Sequence, residues 1–199
     1  IKKLEAENFY RWNLSLYRSD AGLHESTPWY ATNYDDNNWQ TVNMFSQSWG
    51  NNGLNPIGGS HWLRQDIEIP QSWNGKEATL RLGCIVDADS VYVNGVFVGT
   101  TSYQYPPRIY RIPAGILKSE KNNITVRIIS NGGQPGFVQE KPYKIICDNE
   151  EINLKQKWKY RLGAPMPPAP EMMFFWYKPV CLYNAMIAPL QNYSIRGVL

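Results

Sequence analysis

Val91-Tyr-Val-Asn94-Gly95-Val-Phe-Val98 is the stretch that decides the fold. Two β-branched and aromatic runs flank Asn-Gly, a dipeptide that tolerates positive φ at both central positions of a two-residue type I′ turn. The twist of that turn matches the twist of strands, so these residues read as an antiparallel hairpin. Upstream, Leu63, Gln65, Ile67 and Ile69 alternate with Trp62, Arg64, Asp66 and Glu68 as far as Pro70. Ala78, Leu80, Leu82 and Cys84 then line one face of a second strand. Downstream, Ile124, Val126 and Ile128 mark another strand, and Tyr143, Ile145 and Cys147 one more. From Ile152 to Leu162, apolar Ile152, Leu154, Trp158, Tyr160 and Leu162 oppose Lys155, Lys157, Lys159 and Arg161. That basic stripe reads as the wet face of a half-buried strand. The glycine-rich run from Gln47 to Ser60 reads as a loop. Many short strands separated by turn signals predict a mainly β protein, an antiparallel jelly roll or β-sandwich.

The ends of the chain differ. Phe9, Trp12 and Leu16 fall on one helical face, predicting a helix over residues 1–23 with Gly22 as its stop. Pro165, Pro167, Pro168, Pro170 and Pro179 make residues 163–181 an extended linker. Leu182 to Leu190 reads as a short apolar helix, and Ile195 to Leu199 as the start of a strand. A helix feeding a strand is an α/β rhythm, so the β module reads as an insertion between pieces of another domain.

Composition excludes several classes. The 199 residues are 43% hydrophobic and 19% charged, with net charge +3, too slight and scattered for a nucleic-acid surface. No apolar run approaches the roughly 20 residues of a membrane-spanning helix. Cys84, Cys147 and Cys181 are widely spaced and His24 and His61 are the only histidines, which excludes a clustered zinc site. The thiols read as free and buried. Asn13, Asn123 and Asn192 each begin a glycosylation-type triplet, a pattern short enough to arise by chance.

Gly59-Ser60-His61 invites a hydrolase reading, but adjacent side chains on an extended segment point to opposite faces. Asp35-Asp36, Asp87, Asp89 and Glu150-Glu151 lie at turn signals, where carboxylates bond their own backbone. Asp87 and Asp89 also have the oxygen chemistry that calcium prefers. No phosphate loop or dinucleotide fingerprint is present. The remaining signal is aromatic: 8 Trp, 13 Tyr and 6 Phe. Loop aromatics with amide and guanidinium neighbours suit sugar stacking, and Trp49, His61, Tyr103, Tyr105 and Arg108 are the candidate glycan contacts.

Two strings carry a resemblance. Trp62-Leu-Arg-Gln-Asp-Ile-Glu-Ile-Pro70 with Asp87-Ala-Asp-Ser-Val-Tyr-Val-Asn-Gly-Val-Phe-Val-Gly99 resembles the galactose-binding-like jelly roll of β-galactosidases, related glycoside hydrolases and certain carbohydrate esterases. Pro179-Val-Cys-Leu-Tyr-Asn-Ala-Met-Ile-Ala-Pro-Leu190 with Tyr193-Ser-Ile-Arg-Gly-Val-Leu199 closely resembles the sialate O-acetylesterase family. These are SGNH-type serine esterases with a jelly roll inserted in the hydrolase domain. The resemblance implies a helical hydrolase flank at 1–24, the galactose-binding-like sandwich at 25–162, a Pro-rich linker at 163–181 and the returning hydrolase domain from 182 to 199. It implies a parent serine esterase that removes acetyl groups from O-acetylated sialic acids, with no metal or organic cofactor. The family's Gly-Asp-Ser segment precedes the module and its Trp-x-Gln-Gly-Glu and Asp-x-x-His segments follow it, so no catalytic residue is carried onto this sequence. The chain alone is then expected to be inert as an esterase. Implied partners are the sialoglycan substrate and the remaining hydrolase domain in cis, without nucleic acid or membrane. A periplasmic or secreted location follows by analogy. The other readings are an independent glycan-binding module and a structural spacer of a glycoside hydrolase.

Overall fold

A computed structural model describes residues 2–45, 49–171 and 183–192. The chain divides into a larger unit, Arg11–Ala169, and a smaller one drawn from the residues before and after it. Helix α1 is Lys2–Ser19 and α2 is Ala21–His24. Strands follow as β1 Gln40–Val42, β2 Gly58–Glu68, β3 Ala78–Leu82, β4 Ile85–Val86, β5 Ala88–Val93 and β6 Val96–Thr101. Then come β7 Ile109–Ile112, β8 Lys121–Ser130, β9 Gly136–Phe137, β10 Tyr143–Cys147, β11 Glu150–Asn153 and β12 Trp158–Met166.

The strands build a six-stranded sheet in the order β1-β12-β2-β8-β5-β6 and a four-stranded sheet in the order β11-β10-β3-β7, with a β4-β9 ribbon. Every pairing is antiparallel. One core joins the sheets: Leu63, Val91, Val126 and Ile128 from the larger pack with Leu80, Leu82, Ile112 and Ile145 from the smaller. This is the expected antiparallel jelly-roll sandwich. In β3 and β10 burial alternates residue by residue, as the apolar period of two requires. The hairpin forms as read: Val93 pairs with Val96, and Asn94 and Gly95 take φ of 49° and 79°.

Several expectations need correcting. The N-terminal helix stops at Ser19 because Asp20 caps a new turn, its carboxylate accepting from the Gly22 amide at 3.0 Å. The supposed loop ends at Ile57, since Gly58-Gly59-Ser60 already belong to β2 and pair with β12 and β8. Residues 150–166 form two strands with a turn between them, so Ile152–Leu162 is not one alternating run. Pro165 lies inside β12, opposite Gly59 and beyond the reach of β1, where β12 is an edge that tolerates proline. The basic stripe is not simply wet: Lys159 pairs with Asp36, and the Arg161 guanidinium lies 4.7 Å from the Trp29 ring centre.

The larger sheet is covered on both faces, which explains the almost continuous burial of β2 and β8. Over its outer face lie Trp29, Trp39 and Trp62, with Tyr30, Tyr34 and Tyr92 packed against them. Asp20 ties that layer down, accepting from Trp62 Nε1 at 2.9 Å and Arg127 Nε at 2.6 Å. In the smaller unit, Tyr183–Ile187 form a wide helical turn and Ala188–Asn192 a tighter one, in place of an α-helix. Leu182, most of the Pro-rich linker, Cys181 and the strand at 195–199 lie outside the described residues. Among the described residues no helix is long and apolar enough to cross a membrane.

Candidate functional site

Ser102-Tyr-Gln-Tyr-Pro-Pro-Arg108 leads into β7, and its geometry is set by its last residue. The Arg108 side chain is wholly buried and pairs with equally buried Asp89, Nε to Oδ1, at 2.7 Å. Its Nη1 donates to the Gln104 and Pro106 carbonyls at 3.1 and 2.7 Å. Its Nη2 donates to the Ile85 and Asp87 carbonyls at 2.8 and 3.1 Å. A guanidinium has five N–H donors, and each is engaged. The other Asp89 oxygen accepts from the Tyr110 hydroxyl at 2.5 Å. Burial raises the Asp89 carboxyl above its ordinary value against the hydrogen bonds from Tyr110 and Arg108.

Arg108 is thus a staple inside the loop and not a glycan contact, because burial and saturation leave it no free donor. Asp89 is committed to Arg108 and Tyr110 through both oxygens, and half-buried Asp87 accepts from the Asn131 amide through one, at 2.8 Å. Both bond remote groups and not their own turn, and Asp89 has no oxygen left for calcium.

What the stapled loop presents is aromatic. Tyr103 and Tyr105 are 58% and 67% exposed, with ring centres 5.1 Å apart and planes at 78°. The Cys84 thiol donates to the Tyr105 carbonyl at 3.2 Å, fixing the backbone between the rings and the sandwich. Two exposed rings on a restrained backbone can meet an apolar ligand face at little ordering cost.

Trp49 and His61 form a separate group. Their rings lie 5.1 Å apart edge to face, and Trp49 Nε1 donates to the Asn55 carbonyl at 3.0 Å. His61 is fully buried, with Nε2 3.0 Å from the Ile57 carbonyl and Nδ1 2.9 Å from the Tyr160 hydroxyl. A carbonyl only accepts, so Nε2 carries the proton and Nδ1 accepts from the phenol. Burial lowers the imidazole pKa, outweighing the Ile57 hydrogen bond and the nearby Asp20 charge. Ser60 points the other way: a Cβ at Gly163 would sit 2.5 Å from both Ser60 Oγ and Asp20 Oδ1. His61 therefore does not meet the Ser60 hydroxyl. Trp49 also lines a cavity of ≈ 210 Å³ with Met44, Gln134, Gly136 and Gln139.

Of the five named residues, the structure joins Tyr103, Tyr105 and Arg108 through one loop and Trp49 with His61 in another group. Asn123, a glycosylation-type position, is buried in β8 and donates to Asp66 at 2.9 Å, so it is no surface acceptor. Sequence reasoning missed the charged cluster around Arg64 and Asp36 on the outer sheet face. Its only signal was Arg64 and Asp66 in a strand whose other side is apolar.

No family model and no curated protein matches the chain. Among solved structures, it is similar to Ruminococcus gnavus β-glucuronidase in complex with uronic isofagomine, at 25% identity and TM-score 0.35, over 38% of this chain and 13% of that one. The same enzyme in complex with D-glucuronic acid gives 19% identity and TM-score 0.36 over 62% and 19%. An uncultured Clostridium sp. β-glucuronidase gives 18% and 0.35 over 46% and 15%. The matched region is a small fraction of each of these structures.

Proposed function

We propose that the chain is the non-catalytic β-sandwich portion of a carbohydrate esterase that removes O-acetyl groups from sialic acids. The sandwich agrees with what the Pro179–Leu199 resemblance implies. The observation that carries the non-catalytic role is His61: it is buried, neutral and held at both ring nitrogens by the fold. His24, the other histidine, bonds the Tyr17 carbonyl at 2.7 Å at a helix end. Neither is hydrogen-bonded to a serine hydroxyl or a carboxylate among the described residues, as a base serving a nucleophile requires. In this reading the parent acts in the periplasm or outside the cell, where its sialoglycans are.

A second reading, a glycan-contacting module, is favoured by the Tyr103–Tyr105 pair. Both are tested by acetate release from an O-acetylated sialoside, using this chain extended to include a hydrolase domain. His61→Gln is expected to leave kcat within about twofold; a loss of about 10³-fold, the scale for a missing base, would overturn the non-catalytic reading. The Tyr103→Ala, Tyr105→Ala double variant raises KM at constant kcat if the rings touch glycan, and changes neither if the sandwich is a spacer.

A further inference from the structure

A charged cavity on the outer face of the six-stranded sheet has no part in the reading above. Arg64, in the middle of β2, stands between Lys159 of β12 and Thr125 of β8. Its side chain is 3% exposed. Nε donates to Asp36 Oδ2 at 2.8 Å, and Nη1 donates to the Trp29 and Ala31 carbonyls and to Thr125 Oγ1. Nη2 has no hydrogen-bond partner among the described residues. The contrast with Arg108, whose five donors are all engaged, is direct. That edge opens on solvent through a cavity, so it is free to take an acceptor that enters.

Arg64 lines a cavity of ≈ 140 Å³ together with Thr32, Asp36, Asp66, Lys118 and Lys121. The carboxylates there are already matched. Asp36 Oδ1 takes Lys159 at 2.5 Å and Oδ2 takes Arg64. Asp66 takes Asn123 on one oxygen and Lys121, at 2.8 Å, on the other. Burial would raise the Asp36 carboxyl, but Lys159 and Arg64 outweigh it and hold it below the usual range. The Lys118 ammonium pairs with nothing among the described residues. Arg64, Lys118 and Lys121 in the lining exceed Asp36 and Asp66 by one positive charge, and Lys159 on Asp36 adds a second.

We propose that this cavity is a subsite for a single organic carboxylate, received by Arg64 Nη2 with Lys118 and Lys121. The surplus suits an anionic group such as a carboxylate, and a bound cation would face matched acids and surplus positive charge. The volume is below the roughly 300–1,000 Å³ of pockets that enclose whole ligands, so the cavity takes one group and leaves the rest of the molecule outside. That the carboxylate is borne by a sialic acid rests on the proposed function. Free acetate, the product of deacetylation, offers the same chemistry.

Calorimetric titration of the chain with N-acetylneuraminic acid, its methyl ester and sodium acetate tests the assignment. The acid is expected to saturate one site and its ester to bind about tenfold more weakly or not at all. Lys118→Gln, at an exposed residue, is expected to weaken the acid about threefold. Arg64→Gln is expected to abolish binding; because it also breaks a buried pair, Lys118→Gln keeps the test decisive where that variant does not fold. Saturation by acetate but not by the sugar acid supports a carboxylate site and assigns it to the released product. Equal binding of acid and ester, no binding of either acid, or indifference to Lys118→Gln overturns it. Acetate release by the extended chain is scored separately: release without carboxylate binding sinks the subsite alone, and binding without release sinks the esterase reading alone.

Discussion

Arg108 and His61 both carry chemistry that a sequence reader would place in a site, and both are turned inward. Whether a charged side chain leaves a loop or enters the core depends on a remote partner, here Asp89, 19 residues away. No local pattern encodes that, whereas the outward Tyr103 and Tyr105 need no partner and were legible from their loop setting. Arg108→Gln leaves Asp89 buried without its cation and is expected to cost about 3–5 kcal/mol, read as a lowered urea midpoint. An unchanged midpoint would contradict the staple. His61 makes a second prediction at this scale. Its folded pKa lies below the ordinary 6.5, so the unfolded chain binds the proton more readily. The stability that neutral His61 contributes is complete above about pH 6.5 and is lost as pH falls below it. Between about pH 8 and pH 5.5 the wild type should lose more stability than His61→Gln; equal losses would show that the imidazole is not held neutral.

The elements that were legible are those with local signals. The β5–β6 hairpin follows from Asn94-Gly95, and β3 and β10 from strict alternation. The start of β2 was misread because Gly58 and Gly59 look like loop residues. A Cβ at Gly59 would lie 1.9 Å from the Ala164 carbonyl oxygen, and one at Gly58 2.8 Å from that of Met166. Those glycines serve close approach between strands, which only the pairing reveals. Asn94 also works beyond its own hairpin: Nδ2 donates to the Ile116 carbonyl and Asn122 Oδ1, and Oδ1 accepts from the Asn123 amide. Replacing it with Ala removes these bonds and strains a positive φ, at an expected cost of about 2–4 kcal/mol. Thermal unfolding of Asn94→Ala and Asn94→Gly separates the contributions. Gly keeps the backbone freedom and should recover only part of the loss; full recovery would leave the side-chain bonds without weight.

At the scale of the whole molecule, strand spacing sufficed for the sandwich, while the layer over its outer face did not announce itself. Trp29 and Trp39 come from the segment before β1, and only folding shows that it lays them, with Asp36, over the sheet face that carries Trp62 and Arg64. The same cover buries Trp62, Arg64 and Arg127 on the sheet face away from the main core. The functional conclusion draws on two lines: a sandwich whose histidines serve the fold, and a terminal string that resembles an esterase family. Acetate release from an O-acetylated sialoside, measured with the 199-residue chain and with a version extended at both ends, tests the central claim most directly. The account predicts release by the extended chain and none by the 199 residues alone. Release by the 199 residues themselves, or silence from the extended chain, would contradict it.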